Sequence, residues 1–592
     1  MTISFQPPGP RRHLPQTPPE RYDVWSNSFS RDIHRQKYSF DGQEDWLGTS
    51  RRVVLSTLTA LGLPERASRD FGGEADVQDL IQRIYDRKFI PAGRYLYAAG
   101  RPNHQVNNCF LFRAEDSREG WGDVVNKAIN SLMTGGGIGI DYTAIRPDRY
   151  PITGSRGHAT GPLSVMHMVN EAGRHVMQGG QRRSAIWAGL GWFHPDVESF
   201  LALKDWDPRV AEIKQTDFTF PAPMELTNIS VVYDDVFFGL LEGRIGNEEA
   251  HWLLAERFGW YDRGPDLRSV DLRAKAQQVW LKNCQQAFST AEPGFSFNPQ
   301  NWRESLRNAC TEVVSADDSD KCNLGTVWMQ AHDNLRDFQR TVDLATRFLI
   351  VGGVYSHVPL DSIRETGDRN NRIGLGLGGM HEWLMQRGER YRVTKEMHRW
   401  LEAYADTSDL RAGQFASKLG VSQPKGVRAI APTGTIGIIA ETTTGIEPLF
   451  CKAYRRRYYK DGEWMAQFVV DGAVKRLQER GVDVSAIQDS YDIGFEDRVA
   501  FQADVQDYVD MAISSTCNLP TWGSDENGPG SLQQMSDTLL SYAPRLRGFT
   551  CYPDGARGGQ PLSRVDLEEA LQYEGLVFEE REGECVGGVC GV

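Results

Sequence analysis

Between about residues 225 and 450 the chain alternates short apolar runs with segments of helical period, and this alternation limits the fold more than any other feature. Asn228-Ile-Ser-Val-Val232, Arg372-Ile-Gly-Leu-Gly376 and Ile436-Gly-Ile-Ile439 read as strands. Trp252 to Phe258, Phe338 to Val351 and Glu396 to Leu410 read as helices. Strands and helices taken in turn build an α/β fold with a largely parallel sheet. The flanks differ. Residues 51–130 carry apolar positions at three- and four-residue spacing (Val53, Val54, Leu55, Leu58, Leu61), a helical pattern that Pro91 and Gly93 interrupt with a turn. Asn107 to Leu111 then reads as a strand entering a core. Residues 455–545 return to a mostly helical pattern, with a loop at 521–531. Residues 1–50, rich in Pro, Arg and polar side chains, read as a partly ordered arm.

The bulk properties exclude several classes of function. A net charge of −13 is wrong for a surface that coats nucleic acid. No stretch of 18 apolar residues is present, so no membrane-spanning helix is expected. The first residues lack a basic segment followed by an apolar run, so a cytoplasmic location is expected. In such a setting the nine cysteines are better suited to transient, catalytic disulfides than to structural ones. No two Cys-x-x-Cys pairs occur, and no metal site is predicted.

Chemistry concentrates in Asn308-Ala309-Cys310-Thr311-Glu312, with Cys322-Asn-Leu-Gly325 a short loop away. If the first stretch is extended, Asn308, Cys310 and Glu312 share one face. That face offers an amide, a sulfur able to hold a proton or an unpaired electron, and a general base. Read alone, the stretch is equally a strand end with one buried Cys. The C-terminus, Glu584-Cys585-Val-Gly-Gly-Val-Cys590, follows an acidic run and places two cysteines and two glycines on a tail suited to thiol–disulfide exchange.

Three glycine-containing stretches complete the set. Thr134-Gly-Gly-Gly-Ile-Gly-Ile-Asp141 lets backbone approach something closely, but it lacks the Gly-Lys-Ser/Thr ending of a P-loop. Gly179-Gly-Gln-Arg-Arg183 could bring two guanidinium groups to a phosphate or form a solvated face. In Ala431-Pro-Thr433-Gly434-Thr435-Ile436-Gly437, a tight turn with two hydroxyls and backbone N–H groups could hold an anion such as phosphate. Three cysteines, a base, an amide, an anion loop and a dithiol tail suit a reaction on a phosphorylated substrate that consumes two reducing equivalents. Hydrolysis needs no dithiol, and no hydrolytic triad or His-Glu-x-x-His motif is visible.

From about residue 85 to 592 the sequence resembles the ribonucleotide reductases, specifically the adenosylcobalamin-dependent class II enzymes. The resemblance runs in order through Pro91-Ala-Gly-Arg94, Asn108-Cys109, Gly135 to Gly139, Gly161 to Met166, Gly179 to Arg183, His194 to Val197, Asn228 to Val231, Glu292-Pro-Gly294, the Asn308-x-Cys310-x-Glu312 set, Cys322 to Gly325, Arg372 to Gly376 and Pro432 to Ile436. It implies a ten-stranded α/β barrel with a central finger loop, preceded by a mostly helical N-terminal domain. The implied division is an arm at 1–50, a helical region at 51–130, the barrel at 131–545 and a flexible redox tail at 546–592. It also implies roles. Cys310 is the thiyl-radical cysteine that takes hydrogen from ribose C3′, Glu312 accepts the 3′-OH proton, and Asn308 hydrogen-bonds the substrate hydroxyl and the glutamate. Cys109 and Cys322 protonate the leaving 2′-OH and become a disulfide. Cys585 and Cys590 reduce that disulfide and pass the oxidation to thioredoxin or a similar donor. Thr433, Gly434 and Thr435 bind substrate phosphates. Where the family commonly has Asn-Pro-Cys-Gly-Glu, this chain has Ala309 and Thr311.

The resemblance implies further partners: a ribonucleoside di- or triphosphate substrate, adenosylcobalamin as cofactor, and a dNTP effector bound near residues 140–170 and 211–227. With no large insertion to imitate a partner, a homodimer is expected. With no ATP-cone pattern in residues 1–85, overall inhibition by dATP is not. A class I large subunit is the alternative, but its adjacent tyrosines would lie near the C-terminus, whereas Tyr458-Tyr459 lie far from it. A glycyl-radical enzyme is disfavoured by Glu312 and by the context of Gly591. A non-catalytic thiol or zinc regulator leaves Asn308 and Glu312 unexplained.

Overall fold

A computed structural model describes residues 24–26, 28–177, 183–216, 220–460, 463–556, 562–573, 577–579, 585–586 and 589–590. Helices come first, at Ser28–Lys37, Trp46–Leu58, Pro64–Phe71 and Glu74–Tyr85. The Asp45 carboxylate caps the second of these by accepting the Gly48 N–H at 2.6 Å. The strands that position the site are β1 (Phe89–Pro91), β2 (Cys109–Arg113), β3 (Gly137–Asp141), β4 (Ile186–Gly191), β5 (Thr227–Asp234) and β6 (Gly294–Asn298). A small hairpin follows, β7 (Leu306–Arg307) and β8 (Val314–Ser315), then β9 (Asp320–Trp328), β10 (Ile373–Gly378), β11 (Thr516–Leu519) and β12 (Gly548–Pro553).

β2 to β6 lie parallel to one another in chain order. β9 and β10 are parallel, as are β11 and β12. Residues 428–430 link these two pairs through the parallel bridges Leu375–Arg428 and Ile430–Ile513. The two parallel halves meet antiparallel at both seams, β9 on β2 and β12 on β6. The ring therefore closes. The main sheet has ten strands, one of which, β1, runs antiparallel along the far half of β9. This is the ten-stranded α/β barrel that the resemblance implies. Because the halves run in opposite directions, the C-terminal ends of β10 to β12 share a mouth with the N-terminal ends of β2 to β6.

Side chains alternate across the strands, as the period of two requires. Phe110, Phe112, Ile138, Ile140, Ile186, Ala188, Ile229, Val231, Phe295 and Phe297 all pack outward into one core beneath the surrounding helices. On the other half Ile373, Leu375 and Leu377 pack outward against the long helices Leu335–Tyr355 and Lys395–Leu419. The intervening residues face the lumen, where a separate small cluster holds Cys109, Leu111, Leu306, Val313, Cys322, Leu324 and Ala429. The barrel interior thus sorts the reactive thiols away from the two structural cores.

Two strand or helix expectations need correction. Ile436 to Ile439 is not a strand but part of the helix Gly434–Ala440. A short apolar run has no period that separates the two states, and the turn at Thr433, with φ of 53°, starts a helix instead. Residues 455–460 and 463–470 are not helical either. Ala453–Lys460 and Glu463–Val470 form an antiparallel hairpin, rich in the aromatic and β-branched residues that favour a pleated surface.

Candidate active site

β7 and β8 form a hairpin that enters the barrel, and the stretch 308–312 is its tip. The tip is not extended, the condition under which the sequence would put Asn308, Cys310 and Glu312 on one face. The Thr311 N–H donates to the Asn308 carbonyl at 3.0 Å, closing a turn. Thr311 takes a left-handed φ of 70°. The turn still gathers the three functional side chains, because the chain reverses between them. Asn308 and Glu312 are buried and Cys310 is exposed at the apex. A β-branched residue at positive φ is strained, and the position is the one where the family commonly has glycine. Thr311→Gly is accordingly expected to stabilise the fold by about 1 kcal/mol net of the glycine's greater unfolded-state entropy. A rise in urea midpoint at constant slope would show it; a fall would mean that the Thr311 side-chain contacts outweigh the strain.

The glycine run earlier in the chain makes room for this hairpin. A Cβ on Gly139 would collide with the Arg307 carbonyl, and one on Gly137 would lie 3.1 Å from the Ala309 Cβ. Both glycines face the lumen from β3. Gly137 and Gly139 therefore serve the close approach of the hairpin to β3. From β5 the Asn228 amide donates to the Ala309 carbonyl at 3.3 Å. Arg307 holds the hairpin's root. Its guanidinium donates to the carbonyls of Glu304, Leu306, Phe297 and Arg547 and to Asn298 Oδ1, over 2.6 to 3.1 Å. It is fully buried, with no carboxylate partner among the described residues. Neither Arg307 nor Asn228 stood out in the sequence as a site residue. An arginine within the apolar approach to a functional turn was the available signal.

Cys109, Cys322, Asn308 and Glu312 converge. Cys109 on β2 is the direct cross-strand partner of Cys322 on β9, at the antiparallel seam between the barrel halves. Opposed residues of such a pair present their side chains on the same face. The Asn308 amide donates to Cys109 Sγ at 3.0 Å, and its Oδ1 accepts the Val313 N–H at 2.9 Å. The Cys109 thiol lies 4.0 Å from Glu312 Oε1. Glu312 Oε2 is buried and has no hydrogen bond among the described residues. It is an acceptor left over for something that is not protein.

The electrostatics follow from burial. Burial pushes the Glu312 carboxyl up to about 7, against the partial opposing effect of hydrogen bonds from backbone and from Asn308. Burial, then the charge of Glu312, hold the Cys109 thiol far above the ordinary range. Burial does the same for Cys322, partly offset by the Arg372 guanidinium. Cys310 touches solvent at the apex but is surrounded by protein on its other sides, and this desolvation together with Glu312 raises it too. All three sulfurs are thus protonated thiols near neutral pH. They can supply hydrogen atoms and protons, and none is a standing thiolate nucleophile.

The Thr433–Gly434–Thr435 turn follows residues 428–430, so it lies at the same mouth as the start of β2. The Thr433 hydroxyl is already used: it is buried and accepts the Gly445 N–H at 3.1 Å. Gly434 is exposed and Thr435 half-buried, with nothing within 4 Å of a Cβ on Gly434. Cys585 and Cys590 face each other across a two-residue antiparallel ladder of backbone. Residues around them, and their side chains, lie outside the described residues, as do Gly179 to Arg182.

Residues 107–410 and 425–552 match the family profile of the ribonucleotide reductase barrel domain. The chain belongs to the ribonucleotide reductase family. A relative in Mycobacterium tuberculosis (strain ATCC 25618 / H37Rv), a vitamin B12-dependent ribonucleoside-diphosphate reductase, is 27% identical over 556 residues, 85% of this chain and 74% of the relative. One of the same name in Thermoplasma acidophilum is 25% identical over 83% of this chain and 67% of the relative. By contrast, a ribonucleoside-diphosphate reductase subunit alpha from Chlamydia trachomatis is 27% identical over only 50% of this chain and 30% of that protein. The likeness that spans the chain is to B12-dependent reductases.

Proposed function

We propose that this ribonucleotide reductase is an adenosylcobalamin-dependent, class II enzyme that converts ribonucleotides to 2′-deoxyribonucleotides by a thiyl radical on Cys310. The observation that carries it is the seam: Cys109 directly opposite Cys322, with the Asn308 amide and the Glu312 carboxylate on Cys109. Two buried, protonated thiols in cross-strand register are a two-electron reductant. A base with one unpaired oxygen stands beside them.

The residues divide the work as follows. Cys310, at the exposed apex, takes the hydrogen atom from ribose C3′ and later returns it. Glu312 Oε2 accepts the 3′-OH proton and returns it to the 3′ oxygen when the sugar has been reduced, and Asn308 orients the carboxylate and the substrate hydroxyl. Cys109 protonates the departing 2′-OH, which leaves as water. Cys109 and Cys322 then give up two electrons and a further proton to the sugar and join as a disulfide. Cys585 and Cys590 reduce it by exchange and are re-reduced by thioredoxin or a comparable dithiol. Gly434 and Thr435 offer backbone N–H groups and a hydroxyl to the substrate phosphates, with Thr433 shaping the turn. A dNTP effector, bound near 140–170 and 211–227 at a homodimer interface, selects the base; residues 217–219 lie outside the described set.

The open side of Cys310 suits a cobalamin. Thr516, Asn518, Thr550 and Tyr552 alternate with the outward-packed Cys517, Leu519 and Cys551, so they face the lumen, and all are exposed or half-buried. They would hold the amide-bearing rim of a corrin by hydrogen bonds. When bound, adenosylcobalamin supplies the carbon radical that oxidises the Cys310 thiol.

The test is reduction of the four ribonucleotides by purified protein with dithiothreitol, in the dark and without oxygen, with and without adenosylcobalamin. Product that requires the cofactor and vanishes in Cys310→Ala is the expected result. Product without cobalamin, or only after a class I partner subunit is added, would overturn the cofactor assignment.

A further inference from the structure

The helix Gly434–Ala440 is held at its far end by a part of the chain more than 400 residues away. Its C-cap, Glu441, sits at a left-handed φ of 56° with its side chain almost wholly buried. The carboxylate accepts the Ser26 N–H at 3.1 Å, the Ser26 hydroxyl at 2.7 Å and the Arg87 guanidinium at 2.8 Å. Four residues on, the Ser30 hydroxyl donates to the Ile438 carbonyl at 2.7 Å, a second bond on an acceptor that also takes the Glu441 N–H at 3.2 Å. The helix Ser28–Lys37 packs along it. From the other side Arg476 donates to the Glu441 carbonyl and pairs with Glu382 at 2.8 Å, and Glu382 in turn accepts the Thr442 hydroxyl at 2.6 Å. Within the helix, Gly437 sits so close to Thr444 that a Cβ there would clash. A seven-residue helix gripped this firmly at its C-terminus cannot slide without moving its N-terminus by the same amount.

We infer that Ser26, Arg87 and Glu441 form a clamp by which the docked N-terminal segment sets the position of the Gly434–Thr435 turn, and so the affinity for substrate phosphates. These are positioning residues, remote from the reacting sugar. The inference rests on the proposed phosphate role of that turn. Undocking the segment loosens the turn and weakens phosphate binding while leaving the Cys310 finger, anchored on β3 and β5, where it is. Control of substrate affinity by the state of the N-terminal segment is the consequence.

Three variants and two ligands test this in the full chain with cofactor. Glu441→Gln keeps the shape but loses the charge-assisted bonds, and Ser26→Ala removes one contact at an exposed point and so keeps the test alive should the first fold poorly. Gly434→Ala projects a methyl group from the turn itself. Glu441→Gln is expected to raise KM for the ribonucleotide about tenfold, with kcat within about twofold. Ser26→Ala should raise KM by less. Competitive inhibition by pyrophosphate should weaken in parallel, and inhibition by the phosphate-free ribonucleoside should not change. If Gly434→Ala raises KM and neither clamp variant does, the clamp is wrong and the phosphate turn stands. If no variant affects KM or pyrophosphate inhibition, both readings fail. A fall in kcat at unchanged KM would mark Glu441 as a general structural support and overturn the clamp.

Discussion

Gly139→Ala is expected to lower turnover by about 10²-fold or more while the barrel stays folded. The methyl group would be placed against the Arg307 carbonyl, with the Asn308 Cα only 3.1 Å away. Something must give, and the β3 backbone is the less free to move, since it is hydrogen-bonded on both sides to β2 and β4. The finger is the element that shifts, and Cys310 and Asn308 shift with it. Misplacing a reacting group by about 1 Å costs on the order of 10²-fold in rate. The overpacking itself costs about 1 to 3 kcal/mol, too little to unfold a core of this size. Gly137→Ala is the matched comparison, since its methyl group would be crowded by the Ala309 Cβ at 3.1 Å and would meet the Ala185 and Asn108 carbonyls at ordinary contact distance, and its loss should be much smaller. The measurement is kcat for both variants beside their thermal unfolding midpoints. Wild-type turnover in Gly139→Ala would mean that the finger has slack and that its close packing on β3 is not what sets the position of Cys310.

The same glycines show where the sequence could and could not be read. The strands at 228–232 and 372–376 are legible as short apolar runs because one face of each meets a helical layer and must be apolar. Cys109, Cys322 and the 308–312 set were found because their residue types are rare together. Their juxtaposition, however, is a property of the ring: β2 and β9 are more than 200 residues apart in sequence, and only closure of the barrel makes Cys109 and Cys322 opposed residues. The turn at Thr311 is not legible in the sequence, because a threonine conceals the left-handed backbone that a glycine would have announced. Gly135 to Gly139 was weighed as an anion loop because glycine reports only that something comes close, not what. The use of the Thr433 hydroxyl was equally hidden, since its partner, Gly445, is a backbone group with no signature. Arg307 was passed over for a related reason: its acceptors are mostly backbone carbonyls, and these leave no trace in the residue types around it.

Glu312→Gln is expected to trade activity for stability, with opposite signs that both depend on pH. As the base, Glu312 must be ionised, so turnover of the wild-type enzyme should rise with pH and level off above about 7, where burial has pushed its carboxyl. Glutamine cannot accept the proton; a positioned base contributes about 10²- to 10⁴-fold, and that factor should be lost together with the rising limb near pH 7. For stability the sign is reversed. The folded-state value lies above the ordinary 4.5 of the unfolded chain, so the fold disfavours the ionised form. The cost is absent below pH 4.5, grows between 4.5 and 7, and is fully present above. A shift of this size corresponds to roughly 3 kcal/mol, and Glu312 is buried deeply enough, at 2% exposure, that solvent screening discounts little of it. Glu312→Gln should therefore match the wild type in stability near pH 4.5 and exceed it by up to about 3 kcal/mol at pH 8. Urea unfolding at the two pH values, beside kcat–pH profiles of both proteins, makes the measurement. A variant no more stable at pH 8 than at pH 4.5 would show that Glu312 is not held as a destabilised carboxylate. Turnover that stays within tenfold of the wild type would show that the 3′-OH proton goes elsewhere. Together, the expected outcomes would mark Glu312 as a group kept for chemistry at the expense of the fold, which is what an unpaired buried oxygen beside two thiols is suited to be.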